Sequence, residues 1–443
     1  NMIENNSFQR QKSSLKKYIL FGLPRLGTNF VLTIVDFALL TLYSLGFQLD
    51  AWQTLLAFSF GKLSIAASQF LLGWLSDAKY TRWGRRKPYI IILSPLLAIS
   101  FIFLTLPNLF ISISDKLTLF NWLLIWNIIF QASYGLTTPY NSWMAEQFDV
   151  NERPKASQFL NLFIYIGAGF AQIFSLFVLT SYKDQVLIDP AIISIDYLFS
   201  VLLFAVLTVA LFYIVVFLMP TEPHFKIKSS LKSNLIEILH NRNYLLINLL
   251  QGFASIAWAI ISPMMLVYIE EVLNFGTMEY IIGGAIVIFG ILIFLYLWRL
   301  IIEKIGKKKS LLYLFLIAIL VLPFSLLGFI PMSSYLIFGI IFLIGVVAAL
   351  GGWNLFPYIF YADLAEDSEK KTGELKAGIY QGFSSILLNI FQAIGLAFSS
   401  LMAFLMGDAL FYVWWGPICS VILIGAYFYS RKFVNIDFDW EKT

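Results

Sequence analysis

Apolar runs of the length needed to cross a bilayer recur along this chain almost from end to end. A membrane-spanning helix needs roughly 20 predominantly apolar residues, because the hydrocarbon layer is about 30 Å thick and a helix rises about 1.5 Å per residue. Twelve such runs are legible, near 18–46, 53–76, 88–107, 118–142, 156–180, 196–218, 243–270, 279–303, 309–330, 334–362, 376–405 and 409–430. Backbone amides and carbonyls find no water in hydrocarbon, so runs of this length must be helical. Composition agrees, with 59% of residues hydrophobic and 13% charged, where a soluble domain carries about 25% charged residues. The expected class is an all-α membrane protein with twelve transmembrane helices.

An even number of spans puts both chain ends on one side of the membrane, and basic residues choose the side. Arg10, Lys12, Lys16 and Lys17 precede the first run; Lys79, Arg82, Arg85, Arg86 and Lys87 join the second to the third; Lys304, Lys307, Lys308 and Lys309 join the eighth to the ninth. The opposite connectors hold only Lys116 and Lys183. Lys and Arg concentrate in cytoplasmic connectors. The expectation is a multi-pass cell-membrane protein with cytoplasmic termini. Residues 1–16 are polar and basic, so no cleavable leader is expected and the first run directs insertion.

The longest cytoplasmic connector, 219–242, falls between the sixth and seventh runs. The expected layout is a tail (1–17), a six-helix bundle (18–218), this linker, a second six-helix bundle (243–430) and a tail (431–443). A weak repeat supports two halves. Asp77, Gly84 and Arg85-Arg86-Lys87 lie between spans two and three; Glu303, Gly306 and Lys307-Lys308-Lys309 lie at the corresponding point of the second half. Paired halves are the build of a rocking carrier.

Several chemistries find no support. His224 and His240 both sit in the polar connector, so neither a metal site nor a proton relay is available from histidine in the membrane. The lone cysteine, Cys419, permits no internal disulfide and reads as a small buried filler. There is no nucleotide loop, metal cluster or catalytic serine motif, so neither an enzyme nor a cofactor or metal is expected. The expected partners are the lipid bilayer and a small molecule, not nucleic acid, with the chain acting as a monomer.

The stretch Gly73-Trp74-Leu75-Ser76-Asp77 through Arg82-Trp83-Gly84-Arg85-Arg86-Lys87-Pro88 resembles the loop motif of the major facilitator superfamily. Gly73 is expected to let helices approach closely. Asp77 is expected to cap or pair when the cytoplasmic side closes. Two further segments are Pro139-Tyr140-Asn141-Ser142-Trp143-Met144-Ala145-Glu146, running on to Arg153, and Asp363-Leu364-Ala365-Glu366 with the residues after it. With the first they look like the glycoside–pentoside–hexuronide:cation symporters and the related sucrose and disaccharide transporters. The resemblance implies two pseudo-symmetric six-helix halves and alternating access. It also implies a cytoplasmic gate of Gly73, Asp77, Arg85, Arg86, Glu146, Arg153, Asp363 and Glu366, in which the acids reach across the halves to residues such as Arg153. A solvated loop face is the plainer reading of each acid.

The family's cation and sugar residues do not carry over. Its two sodium-binding carboxylates fall at Ile65 and Gln69, and its sugar-binding charges at Asn29, near Thr137, near Asn161 and at Asn389. Amides donate and accept, which suits a neutral polyhydroxylated ligand; they also serve as glue between helices. Asn141, Trp353, Asn354 and Gln381 complete the candidate binding residues. The adjacent Gly351-Gly352 is expected to loosen its helix and expose carbonyls, and Trp353 either stacks on a sugar or simply packs.

Asp36 is the most informative single residue, because a carboxylate inside an apolar run must be paired, protonated or wet. Lys62 lies at a similar depth on the next span, so an Asp36–Lys62 ion pair near a central cavity is expected, either coupled to transport or purely structural. The resulting expectation is secondary-active transport of a small neutral sugar or glycoside, proton-coupled or facilitative rather than sodium-coupled. A lysolipid or other amphiphile carrier, and a symporter with a relocated cation site, are the alternatives.

Overall fold

The computed structural model describes residues 14–78, 80–148, 152–221, 239–332, 334–357, 360, 364 and 377–436. Their secondary structure is helical apart from one tight turn. The spans are α1 (Leu15–Phe37), α2 (Ala51–Ala78), α3 (Lys87–Thr105), α4 (Lys116–Tyr134), α5 (Arg153–Phe174), α6 (Ile195–Leu218), α7 (Arg242–Val267), α8 (Thr277–Ile305), α9 (Lys307–Val321), α10 (Leu336–Trp353), α11 (Ala377–Met406) and α12 (Asp408–Phe433). The fold is the expected twelve-helix layout. Ile92, Phe199, Phe217, Phe289, Ile337 and Val421 point outward and are exposed, as lipid-facing residues must be.

Four boundaries differ from the pattern-based ones. The first run bends at Leu23-Pro24, where proline supplies no N–H, and continues past Phe37 into a π-helical turn, Leu42–Gly46. The fourth breaks after Tyr134, and a second helix, Thr137–Gln147, carries the chain onward. The fifth runs through another π-helical turn, Ser175–Leu179, to Ile188, so Lys183 is helical rather than in a loop. The tenth run ends its regular helix at Trp353. Eleven of the described helices are long and apolar enough to cross a membrane; α4 falls short because Asn121, Asn127 and Gln131 interrupt its apolar surface.

Connectors alternate between two faces. Lys17 Nζ donates to Gln147 O at 2.5 Å, Gln147 Nε2 to Pro220 O at 2.9 Å and Lys87 Nζ to Met219 O at 2.7 Å, so the starts of α1 and α3 meet the ends of the fourth and sixth spans. This is the terminal face. At the distal face, Lys116 Nζ donates to Phe47 O at 2.7 Å and Tyr197 OH to Thr105 O at 3.0 Å.

Hydroxyls and amides bind neighbouring helices through backbone carbonyls, the usual glue where lipid offers no hydrophobic drive to association. Between α2 and α4, Asn127 Nδ2 donates to Ala57 O at 2.9 Å, Ser64 Oγ to Ile128 O at 2.9 Å and Ser68 Oγ to Ala132 O at 2.5 Å. Between α6 and α1, Thr208 Oγ1 donates to Gly27 O at 3.0 Å. That crossing is close enough that a Cβ on Gly27 would lie 2.7 Å from Thr208 Cα. Because the obstacle is backbone, Gly27→Val should separate α1 from α6 at a cost of about 1–3 kcal/mol. A thermal denaturation midpoint several degrees below the parent, in the same detergent, is the expected reading.

Candidate functional site

Asp36 and Lys62 meet between the halves. Lys62 Nζ lies 2.9 Å from Asp36 Oδ2 and 3.1 Å from Oδ1, a bidentate contact. Lysine cannot be fully solvated at this depth, so the carboxylate supplies its compensation. The pair is not sealed: the Asp36 side chain is 31% exposed and that of Lys62 13%. What it faces is a cavity of about 100 Å³.

Five helices build the cavity walls. Asp36 comes from α1, Phe58 and Lys62 from α2, Asn127 and Gln131 from α4. From α7 come Trp258, Ala259, Ser262 and Pro263, and from α11 Gln392 and Leu396. Asn127 and Gln131 are one helical turn apart, which puts both on one face. Pro263 lies inside α7 and lacks the N–H that would bond the carbonyl of Ala259, so that carbonyl loses its usual helical donor. Ser262 Oγ donates to Asp36 O at 3.2 Å, joining the halves at this level.

The walls offer hydrogen-bonding capacity that the protein does not use. Asn127 Oδ1, Gln131 Oε1 and Trp258 Nε1 are buried, and none has a hydrogen-bond partner among the described residues. Buried polar groups are nearly always satisfied, so three around one small cavity mark a place for a ligand's hydroxyls or for water. The set contains donors and acceptors, with a charge pair that is neutral overall. The arrangement can offer hydrogen bonds to the hydroxyl groups of a guest.

Residues 20–407 match the family model described as MFS/sugar transport protein. The chain belongs to that family. It is therefore a transporter of the major facilitator superfamily rather than an enzyme. Solved structures with the same fold include a D-xylose–proton symporter, at 18% identity over 96% of this chain and 98% of that one, with a TM-score of 0.67. The nucleoside transporter NupG aligns at 16% identity over 95% of this chain and 100% of its own, with a TM-score of 0.63. An inward-facing bacterial homologue of the human lysosomal transporter Spinster aligns at 16% identity over 96% of this chain and 99% of its own, with a TM-score of 0.66. No curated protein matches the sequence.

Of the candidate binding residues, Asp36 lines this cavity. Gln69 and Asn389 pair with each other across the halves, Asn389 Nδ2 donating to Gln69 Oε1 at 3.1 Å, on the terminal side of the ion pair. Asn29 turns back on its own helix to Arg25 O at 2.9 Å and packs against Gly167 of α5. Thr137 donates to Tyr134 O at 2.9 Å, Asn141 is exposed, and neither Asn161 nor Asn354 lines the cavity. Trp353 stacks behind Trp258 (ring centroids 6.2 Å, interplanar angle 22°), so Trp258 is the ring the cavity sees. The regular helix ends at Trp353, directly after Gly351-Gly352, and Leu355 N donates to Gly352 O at 3.1 Å in the turn that follows. The same glycines let α10 press against Phe294, Leu314 and Trp298. A second interruption of regular helix bonding lies at Pro263 in α7. The side chain of Gln381 lies outside the described residues.

At the terminal face the loop motif folds into a buried clamp. A tight turn with Gly84 at φ +93° reverses the chain, held by Thr81 Oγ1 to Gly84 O at 2.6 Å. It delivers two arginines to one carboxylate: Arg85 Nη2 lies 2.7 Å and Arg86 Nη2 3.0 Å from Glu146 Oε1, and Arg86 Nη1 reaches Ser76 Oγ at 2.6 Å. The expectation that Glu146 reaches across the halves is corrected, because Arg85 and Arg86 lie in its own half, as does Arg153. A buried carboxylate takes the nearest cations, and the turn places the motif's two arginines beside it. A Cβ on Gly73 would lie 3.4 Å from Thr138 Cγ2, an ordinary contact, so this glycine does not enforce the closest approach. Asp363 and Glu366 lie outside the described residues, as do the side chains of Asp77 and Arg153. Glu146→Ala leaves two buried guanidinium groups short of a counter-charge and should cost about 3–5 kcal/mol, read as a fall of several degrees in the thermal midpoint.

The distal face carries an ion pair that sequence reasoning passed over. Lys183 Nζ bonds Glu270 Oε2, linking the end of the fifth span to a π-helical turn, Tyr268–Val272, that follows α7. Both side chains are 9% exposed. The available signal was a lysine and Glu270-Glu271 at matching ends of spans. Nearby, Ala51 N donates to Asp408 Oδ2 at 3.0 Å and Ser400 Oγ to Trp52 O at 2.6 Å, also between halves. The halves are thus joined at the distal face. Glu270→Gln should loosen it: in a Cys419→Ser background, an Ala51→Cys reporter should react with a membrane-impermeant maleimide several times faster than without the substitution. Exchanging the charges, Lys183→Glu with Glu270→Lys, should restore slow labelling.

Proposed function

We propose that this protein is an alternating-access carrier of a small neutral sugar or glycoside, bound at the Asp36–Lys62 cavity. The observation that carries the reading is the set of unpartnered groups on Asn127, Gln131 and Trp258 around a neutral charge pair. Hydroxyls satisfy such groups, and a neutral pair neither attracts nor repels an uncharged guest. Lys62, the cation in the lining, is already engaged by Asp36, which disfavours a phosphate headgroup. The halves, residues 18–218 and 243–430, rock about this site. The chain sits in the cell membrane as a monomer with its terminal face in the cytoplasm, where the basic connectors belong.

Coupling is proton-linked or facilitative. Ile65 and Gln69 supply no carboxylate for sodium, whereas Asp36 is a titratable group open to the cavity. Protonating Asp36 would free Lys62 and change the cavity's charge, which ties a proton to the site. Uptake of labelled hexoses and disaccharides into proteoliposomes tests this. We expect uptake indifferent to a sodium gradient and reduced about tenfold or more by Asp36→Asn, with its pH dependence flattened. Uptake by Asp36→Asn equal to the parent, with the same pH profile, would remove Asp36 from coupling.

A further inference from the structure

A second cavity, of about 120 Å³, lies beside the first. The two share Trp258 and Ser262. Their chemistry is opposite. The first is walled by the ion pair and amides; the second is walled largely by apolar side chains, among them Leu176, Ile261, Met265, Val287, Leu343 and Val346. Its polar exceptions include Gln172 and Tyr280, whose hydroxyl is buried without a partner among the described residues. Trp258 stands at the boundary: it lines both chambers, and its indole N–H is buried without a partner among the described residues.

A free sugar cannot use the second chamber, because its hydroxyls would face aliphatic side chains and lose their hydrogen bonds. A molecule with one polar and one apolar end uses both. Size narrows the apolar end: an apolar protein cavity of about 150 Å³ takes up benzene, so a chamber of about 120 Å³ fits a single small ring or short branched alkyl group. A long acyl chain needs several times that room.

We propose that the substrate is a glycoside with a compact apolar aglycone, its glycosyl group in the Asp36–Lys62 chamber and its aglycone between α7, α8 and α10. This rests on the sugar reading above and adds to it where the non-sugar part sits. Trp258 forms the collar between the two, its N–H directed at the glycosidic region and its ring against the aglycone. Val287 and Val346 set how large an aglycone fits.

The test compares methyl, phenyl and octyl β-glucosides and β-galactosides, with free glucose and galactose, binding to the full chain in lipid nanodiscs (sugar-based detergents would themselves compete). Burying a phenyl group should make the phenyl glycoside at least about tenfold tighter than the methyl glycoside of the same sugar. Val287→Phe fills the chamber and should narrow that ratio at least about fivefold; Val346→Phe, from α10, is the second variant and should do the same. Equal affinity for methyl and phenyl glycosides, or equal loss of both in the two variants, overturns the aglycone placement while leaving sugar carriage standing. Octyl glycosides a further tenfold tighter than phenyl would overturn the compact aglycone. Failure of every sugar and glycoside to bind would overturn both this inference and the sugar reading beneath it.

Discussion

A carboxylate and an ammonium in the middle of a bilayer are tolerable only together. Either charge alone costs about 2.5–3.5 kcal/mol even on the most lenient insertion scale. Asp36 and Lys62 must therefore hold each other, and that fixes the depth at which α1 and α2 stand side by side. Contact alone does not cover the cost, because a desolvated pair needs its remaining hydrogen-bonding sites satisfied. The pair's remaining sites face the cavity, where amides from α4, a serine from α7 and a glutamine from α11 stand without bonding the pair's side chains among the described residues. One ion pair thus accounts for a polar pocket in a region where every other pressure is towards hydrocarbon.

The two halves contribute unequally to that pocket. The charges and the α4 amides all come from the first half; the second brings Trp258, Ser262, Pro263 and Gln392, and the apolar surfaces of α8 and α10 beside them. The charged part of the pocket thus belongs to one half, and Ile65 stands on that same half at the position where the family's pattern carries a sodium-binding acid.

Much of the architecture was legible because hydrocarbon enforces it: length and apolarity place twelve helices, and the depth argument brings Asp36 to Lys62. The rest of the site was harder to read for a physical reason. Asn127, Gln131 and Gln392 are ordinary amides whose meaning depends on whether their partners are present, and sequence does not show an orphaned atom. The one available signal was negative, the dip in apolarity that keeps α4 below the level of the other spans. Gly351-Gly352 looked like a place for loosened backbone, yet glycine serves equally well for close packing. Proline inside α7 was the less ambiguous mark, since a missing N–H has no packing explanation. Trp353 and Trp258 differ only in which is nearer the cavity, a matter of rotation about helices that period alone leaves open.

The seam between the halves combines helix packing with a handful of polar contacts. Its described hydrogen bonds run from Ser59 to Ala393 O at 2.8 Å, from Asn389 to Gln69, from Ser262 to Asp36 O, from Ser400 to Trp52 O and from Ala51 to Asp408. Side-chain hydrogen bonds between membrane helices average about 0.6 kcal/mol, so a handful amounts to about 3 kcal/mol. The Lys183–Glu270 pair adds little net stability if its alternative is two solvated ions, because desolvation offsets attraction. Inverting a two-state equilibrium from 1:99 to 99:1 takes a differential binding of about 5.5 kcal/mol. The hydrogen bonds alone lie below that figure, but they are not the whole seam, because α2 of the first half packs along α11 of the second. Separating the halves has to offset that packing as well as the handful of polar contacts.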